Sequence, residues 1–366
     1  MMNSTIKFLI FFFSFTAAQP LKGQNQLIFA DQRLATVYSI IQKFKNTISS
    51  DPLGVRKSWV GPNICSYTGF YCDTPPDNNS AIALASIDFN GFQLTASTLD
   101  GFLDQLSDIA IFHANSNNFG GTLSPNIANL PYLYELDISN NQFFGPFPSA
   151  ILGMNSLNIL DIRFNYFTGS VPPQLFTKDQ LDALFINNNN FMQRLPDNFI
   201  TSHYFQIMSS LTEILLLNNL LSGCLPYELG FLNEAVVFDA GNNRLTGPLP
   251  FSLGCLENVE ILNFARNQLY GIVPDVICAL GNSVNLSLSD NYLKGFGPSC
   301  LRLLENGVLD LRNNCIPGLP FQKSVTECVS YFAYPRYCPH MATYTYIPCW
   351  LSNFSTPPLD LPKLVP

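Results

Sequence analysis

Residues 132–175 read YLYELDISNNQFFGPFPSAILGMNSLNILDIRFNYFTGSVPPQL, and this stretch contains one pattern twice, 24 residues apart. LDISNNQFFGPFP returns as LDIRFNYFTGSVP, with the leucine, asparagine, glycine and proline kept and the letters between them changed. A pattern that keeps fixed positions and varies the rest indicates a structural unit in which each kept side chain has the same role in every copy.

The pattern continues along most of the 366-residue chain. Its kept asparagine stands at Asn117, Asn141, Asn165, Asn189, Asn219, Asn243, Asn267, Asn291 and Asn314. The spacing is 24 residues, except for 30 between Asn189 and Asn219 and 23 at the end. With a degenerate first copy at residues 86–94, the chain holds about ten turns. This period predicts a leucine-rich-repeat solenoid over residues 81–316.

Each kept residue has a physical role in such a turn. Leu136 and Ile138 alternate along a short strand and point into the stack. A buried asparagine amide can bond the backbone of the neighbouring turn. Glycine and proline then direct the chain back along the outer side. The predicted class is an α/β solenoid with a curved parallel sheet on its concave face.

The two ends of a solenoid expose apolar faces, so capping units are expected there. Residues 31–49 carry apolar residues at helical spacing and predict an amphipathic helix in an N-terminal cap at 19–80. Trp59 is expected to cover the first turn. A cysteine-rich cap is expected at residues 317–349, followed by a short proline-containing tail at 350–366. The irregular 30-residue interval predicts a long outer loop, or the remnant of a deleted turn.

Ten cysteines follow the apolar N-terminal run, an even number that indicates disulfides rather than metal ligands. Cys65–Cys72 is expected to close a small loop in the first cap. Successive turns suggest the pair Cys278–Cys300, and by the same reasoning Cys224–Cys255. The other four, Cys315, Cys328, Cys338 and Cys349, are expected to close the C-terminal end.

Residues 1–18 read as a secretory signal peptide, because Lys7 precedes a short apolar run and small residues follow it. No later run is long enough to cross a membrane, so a secreted protein without a membrane span is expected. Candidate N-glycosylation sites are Asn78, Asn285 and Asn353.

The net charge of −8 argues against a nucleic-acid partner, because phosphate binding needs basic residues. Catalysis is not expected, since His113, His203 and His340 lie far apart in the stack. The sequence shows no metal-ligand spacing, so we expect neither a metal nor a cofactor.

One residue of each strand stands between the two inward positions and points to the concave face. In chain order this column reads Asp88, His113, Asp137, Asp161, Phe185, Leu215, Asp239, Asn263, Ser287 and Asp310. Five are aspartate, none is basic, and the basic residues nearby are Arg163, Arg266 and Arg312. The column predicts a surface for a basic polypeptide, with an apolar anchor at Phe185 and Leu215. The alternative is that aspartate is simply a common residue of this repeat.

Several motifs resemble the repeat domain of the leucine-rich-repeat extensins of plant cell walls. They are WVGPNICSYTGFYC, FHANSNNFGG, LDIRFNYFTGSVPPQLF, FINNNNF, GCLPYELGFL, NRLTGPLP and LDLRNNCIPGLP. The resemblance covers about residues 31–338, and the 24-residue repeat is of the plant-specific extracellular class. After Cys349 only WLSNFSTPPLDLPKLVP follows, without a Ser-Pro array, so the branch of this family without an extensin module is the expected comparison.

The resemblance implies a wall-located protein that binds a secreted, basic, cysteine-rich signalling peptide, and it also implies a homodimer. Two other functions fit the residues. One is inhibition of a pathogen polygalacturonase, because such inhibitors are secreted, capped repeat proteins of similar size. The other is a structural wall component that contacts cell-wall polysaccharide.

Overall fold

The computed structural model describes residues 27–193, 210–339 and 343–350. Its α-helices are α1 (Gln32–Thr47), α2 (Asp275–Cys278), α3 (Cys300–Glu305) and α4 (Val325–Phe332). Its strands are β1 (Phe70–Asp73), β2 (Ala83–Asp88), β3 (Thr95–Ala96), β4 (Ile111–His113), β5 (Asn118–Gly121), β6 (Glu135–Asp137), β7 (Gln142–Pro146), β8 (Ile159–Asp161), β9 (Tyr166–Gly169), β10 (Ala183–Phe185), β11 (Asn190–Phe191), β12 (Glu213–Leu215), β13 (Ser222–Cys224), β14 (Val237–Asp239), β15 (Arg244–Gly247), β16 (Ile261–Asn263), β17 (Gln268–Val273), β18 (Asn285–Ser287), β19 (Tyr292–Phe296) and β20 (Leu309–Asp310).

The larger sheet has the strand order β1-β2-β4-β6-β8-β10-β12-β14-β16-β18-β20. Every pair from β2 onward is parallel, and the antiparallel β1 covers the N-terminal edge. We call this the concave sheet. The second strand of a turn belongs to one of two smaller sheets, β11-β9-β7-β5-β3 or β13-β15-β17-β19. Short 3-10 or α-helices complete most turns. The predicted leucine-rich-repeat solenoid, with ten parallel strands in the described residues, is confirmed.

A ladder of buried asparagines joins the turns. Asn165, which is 6% exposed, donates from Nδ2 to Ile138 O of the preceding turn at 3.0 Å. Its Oδ1 accepts from Phe143 N at 2.9 Å. The other eight anchor asparagines, all buried, make equivalent bonds. Each amide thus satisfies backbone groups that would be costly to bury unpaired.

The amphipathic helix predicted at residues 31–49 is present as α1. Asp31 accepts a hydrogen bond from Arg33 N at the start of α1, and the buried face of the helix includes Leu34, Ile41 and Phe44. Trp59 is fully buried and stacks on Phe89 of the first turn at 5.3 Å between ring centroids. The open end of the apolar stack is therefore closed by aromatic rings.

The disulfides agree with the expectation at three places and correct it at two. Cys65–Cys72, Cys278–Cys300 and Cys315–Cys328 are bonded. The expected pair Cys224–Cys255 is wrong, because Cys224 bonds Cys338 and Cys255 bonds Cys349. Cys224 ends strand β13, whereas Cys255 ends a 3-10 helix, so the two stand at different positions within their turns.

The C-terminal segment consequently runs back along the solenoid instead of only closing its end. Tyr344 Oη donates to Leu225 O at 2.9 Å, and Phe251 N donates to Tyr344 O at 2.7 Å. These bonds lie between the two long-range disulfides. The last part of the described chain therefore braces turns that precede it by about ninety residues or more.

The 30-residue interval does not interrupt the stack. β10 pairs directly with β12, with Ala183 opposite Glu213. The asparagine ladder also continues, since Phe191 N donates to Asn219 Oδ1 at 3.1 Å. Residues 194–209 of this interval lie outside the described residues, so the choice between an outer loop and the remnant of a turn stays a prediction.

Candidate ligand-binding face

The predicted column lies in register across the concave sheet. Neighbouring strands pair its members directly, in the order Asp88, His113, Asp137, Asp161, Phe185, Leu215, Asp239, Asn263, Ser287 and Asp310. Side chains at one register position of parallel strands share a face of the sheet. The structure therefore brings all the column residues proposed from the sequence onto one continuous surface.

The aspartates of this column have a structural role. Asp137 Oδ1 accepts from Ser139 N at 2.8 Å, so the side chain satisfies a backbone donor just after its strand. The same bond from the residue two positions later is made at Asp88, Asp161, Asp239, Asn263 and Asp310. Such local Asx bonds explain why aspartate or asparagine recurs here. They use Oδ1 of each aspartate and do not require its negative charge.

Two aspartates of the column lie directly against an arginine. Asp161 Oδ2 lies 2.9 Å from Arg163 Nε, and Arg163 also lies over the Phe185 ring at 5.2 Å from its centroid. Arg312 Nη2 lies 2.8 Å from Asp310 Oδ2. Arg266 stands outside this arrangement, 4.0 Å from Asp290. The column is therefore less negative than its five aspartates imply.

Further acidic side chains lie on the N-terminal and central strands of this face. Glu135 precedes Asp137 by two residues and faces the same side of β6. His113 Nε2 lies 2.9 Å from Glu135 Oε1, although it is too poorly aligned for a hydrogen bond. The register position of Glu135 also holds the exposed Glu213 on β12. Sequence reasoning missed both glutamates because it followed one residue per strand; the period-2 alternation could have identified them.

Asp161 is the most perturbed acid of this face. Its residue is 4% exposed, and burial raises the pKa of Asp161 to about 7. The nearby charge of Asp137 adds to this rise in pKa, and Arg163 opposes it. Burial likewise raises the pKa of Asp239, whereas the bond from Arg312 holds the pKa of Asp310 below its usual value.

The variant Asp161→Asn is expected to flatten the dependence of stability on pH. Between about pH 4 and 7 the folded protein keeps a proton on Asp161 that the unfolded chain releases, so the free energy of unfolding falls as pH rises, by up to about 4 kcal/mol. Asparagine cannot ionise and keeps the oxygen that accepts from Arg163 N. Thermal unfolding at pH 5 and 7.5 should show a smaller fall in Tm for the variant. Equal falls in both proteins would contradict the raised pKa.

Phe164 was also missed by the sequence analysis. The residue before each anchor asparagine has a positive φ, and it is usually asparagine, as at Asn140 and Asn188. Phe164 holds φ +52° with its side chain 50% exposed, which costs roughly 1–2 kcal/mol for a bulky residue. An exposed aromatic in a strained conformation directly after Arg163 is a further candidate contact residue near the column.

Three other predicted features concern membrane spans, metal ligands and glycosylation sites. In the described ranges no helix has the length and apolarity needed to span a membrane, and no cluster of three or more potential ligands could hold a metal ion. Asn78 and Asn285 are exposed. Residues 1–18, where a signal peptide is expected, lie outside the described residues, as do His203, His340, Asn353 and residues 351–366.

Comparison with known proteins agrees with this architecture. A family model described as Leucine Rich Repeat matches residues 132–154. Leucine-rich repeat extensin-like protein 4 of Arabidopsis thaliana is 42% identical over 107 residues, which are 28% of this chain and 22% of the relative. The match thus spans less than a quarter of the length of that relative.

Two solved structures are similar over more of the chain. The repeat ectodomain of the Arabidopsis thaliana receptor kinase GASSHO1/SCHENGEN3, in complex with CASPARIAN STRIP INTEGRITY FACTOR 2, aligns with a TM-score of 0.67 and 27% identity, over 77% of this chain and 32% of that one. The plant peptide hormone receptor RGFR1, in complex with RGF2, aligns with a TM-score of 0.51 and 26% identity, over 58% of this chain and 34% of that one. The chain therefore has the leucine-rich-repeat fold of the plant ectodomains that it resembles, and its matched part is similar to leucine-rich repeat extensin-like proteins.

Proposed function

We propose that this protein is a secreted cell-wall protein that binds a basic, cysteine-rich signalling peptide on its concave sheet. The observation that carries the proposal is the register column, which sets Asp88 and Asp137 on the same surface as the apolar pair Phe185 and Leu215. Acidic side chains steer a basic ligand, and a central apolar contact holds it.

The N-terminal and central turns are better suited to bind such a peptide than the C-terminal turns. Glu135, Asp137 and Glu213 form no ion pair with lysine or arginine in the described part of the chain, whereas Asp310 is neutralised by Arg312. Asn285 begins β18 on the concave sheet and is exposed, so a glycan there would obstruct the C-terminal turns.

Two further observations support an extracellular binding role. Five disulfides are typical of proteins that fold in an oxidising compartment. The two solved structures described above are complexes, and one is named as a peptide hormone receptor. This chain shares with them the repeat architecture on which a ligand can be laid across several turns.

Asp137→Lys is expected to weaken binding of a folded basic cysteine-rich peptide by about tenfold or more, because it places a positive charge where the ligand's own charge must lie. Calorimetric titration at the mildly acidic pH of the wall measures the effect. Binding by the unaltered protein should weaken as salt is added.

The matched control is Glu257→Lys, which makes the same charge change at an exposed position just after the 3-10 helix Phe251–Cys255, away from the concave sheet. It should change the affinity by less than about twofold, since only long-range charge is altered. Equal losses in the two variants would show that binding depends on net charge and not on the concave column.

A further inference from the structure

The basic residues of this acidic chain lie mainly toward its two ends, with seven before residue 58 and seven between residues 244 and 336. Between residues 58 and 243 the sequence has three Lys or Arg against sixteen Asp or Glu. Between residues 244 and 336 it has seven of each. The excess of negative charge in residues 58–243 therefore ends at about residue 244. A local cluster of cations beyond that point can attract an anion.

Three of these cations surround one group of aromatic rings, and we call them the C-terminal cation cluster. Lys294 Nζ lies 3.6 Å from the centroid of Phe332, Arg336 Cζ lies 4.0 Å from that of Tyr331, and Lys323 Nζ lies 5.1 Å from that of Tyr292. The rings are continuous, since Tyr292 stacks on Tyr331 at 3.5 Å and Tyr331 meets Phe332 edge-on at 5.0 Å.

The fold fixes this cluster away from the concave sheet. Lys294 lies on β19 of the smaller sheet β13-β15-β17-β19, and Phe332 is the last residue of α4. Tyr331 Oη donates to Gln268 O at 2.6 Å, which holds α4 against the sheet. Tyr270 Oη donates to Arg336 O at 3.1 Å, and the Cys224–Cys338 disulfide anchors the chain two residues later.

Two of the three charges of this cluster, those of Lys294 and Arg336, have no neutralising partner among the described residues, whereas Asp290 and Glu327 lie near Lys323. Within residues 210–339, Lys294 and Arg336 are exposed and form no ion pair. Both of these acids also bond residues outside the cluster. Asp290 accepts from Asn313 and faces Arg266, and Glu327 forms the capping box of α4 with Ser324. Guanidinium and ammonium donors are thus presented to solvent in a fixed place.

Two exposed rings complete the surface. Tyr334 is 73% exposed and Tyr337 is 84% exposed, and they flank Arg336 in the chain. Flat, rigid aromatic faces next to cations suit a ligand that carries carboxylates on sugar rings, because the apolar C–H faces of the sugar can pack on tyrosine. An acidic peptide offers the carboxylates without those faces.

We propose that the C-terminal cation cluster, with Tyr334 and Tyr337, binds an acidic polysaccharide of the polyuronate class. Lys294 and Arg336 contact its carboxylates, and the two tyrosines pack against its rings. Lys323 is half-buried, donates to Asn313 O at 2.6 Å and lies near Asp290 and Glu327, so it makes no direct contact with the ligand in this proposal. The site is separate from the concave sheet, so the protein can hold a wall polymer and a peptide at once.

Binding of polygalacturonate to the full secreted chain, measured by biolayer interferometry at low and raised salt, tests this site. The double variant Lys294→Gln/Arg336→Gln should bind about tenfold more weakly than the unaltered protein. The matched control Lys43→Gln/Lys57→Gln removes the same charge at exposed positions of the N-terminal cap and should stay within about twofold. Near-ultraviolet circular dichroism checks that the variants fold.

A second variant keeps the test decisive if the loss of both cations disturbs α4. Tyr334→Ala/Tyr337→Ala alters only exposed rings and should weaken polygalacturonate binding while leaving the fold unchanged. Methyl-esterified polygalacturonate and polyglutamate should both bind much more weakly than the free acid. Three results would each overturn the proposal. They are no binding of polygalacturonate at low salt, equal losses of affinity in the Lys294→Gln/Arg336→Gln and Lys43→Gln/Lys57→Gln variants, or binding of polyglutamate as tight as that of polygalacturonate. Asp137→Lys should not weaken this binding, which separates the result from that of the peptide titration.

Discussion

Asn165→Ala is expected to lower the free energy of unfolding by about 3–5 kcal/mol, one of the largest effects of any single substitution in this chain. The buried amide serves two turns, since it accepts from Phe143 N and donates to Ile138 O and Ile162 O. Alanine would remove the acceptor of the buried Phe143 N and one of the two amide bonds that Ile138 O and Ile162 O each accept, inside the stack where water cannot replace them.

The control for this prediction is Asn126→Ala. Asn126 is an exposed asparagine in the 3-10 helix Pro125–Asn129, and its substitution should change stability by less than about 0.5 kcal/mol. Denaturant unfolding with the disulfides intact compares the two midpoints. Similar midpoints for both variants would show that the asparagine ladder does not hold the turns together.

Loss of the Cys224–Cys338 bond is the other large effect. In the chain-entropy model, a disulfide that closes a sequence separation of 114 residues stabilises by about 5 kcal/mol. The separation of 22 at Cys278–Cys300 corresponds to about 3.5 kcal/mol, and that of 7 at Cys65–Cys72 to about 2.5 kcal/mol. Replacing a pair by alanine should therefore lower stability most for Cys224–Cys338, less for Cys278–Cys300 and least for Cys65–Cys72.

The double variant Cys224→Ala/Cys338→Ala should also free the segment that Tyr344 attaches to Leu225, and so make it sensitive to limited proteolysis near residue 338. The Cys65→Ala/Cys72→Ala variant is the control for the loss of a bond at the opposite end. Non-reducing peptide mapping of the unaltered protein checks the connectivity itself. Recovery of a Cys224–Cys255 peptide would contradict the bracing of the central turns by the C-terminal segment.

Much of the fold could be predicted because one 24-residue period repeats the same physical solution. The positions of Leu136, Ile138 and Asn141 within the pattern already specify the inward face and the buried amide of the turn. Trp59 could be assigned to the cap because an apolar stack needs a cover. The pairing of Cys224 could not be predicted in this way, since its partner lies beyond the repeats, where no period relates position in sequence to position in space.

One of the two candidate sites could be predicted from the repeat period, and the other could not. The concave column followed from the period, because residues one repeat apart become neighbours on the sheet. The contact of Asp161 with Arg163 could not be predicted, since it depends on side-chain geometry between two positions of one turn. The contact of Lys294 with Phe332 could not be predicted, because it depends on where α4 packs against the smaller sheet.

Site-specific photo-crosslinking tests the central claim most directly. A photoreactive phenylalanine analogue at position 185 would report whether a basic cysteine-rich peptide lies on the concave sheet, and the same analogue at position 144 is the control. Phe144 is 55% exposed but belongs to a smaller sheet. We predict a peptide crosslink from position 185 and none from position 144. Crosslinking from position 144 alone, or from neither position at a saturating peptide concentration, would contradict peptide binding on the concave sheet.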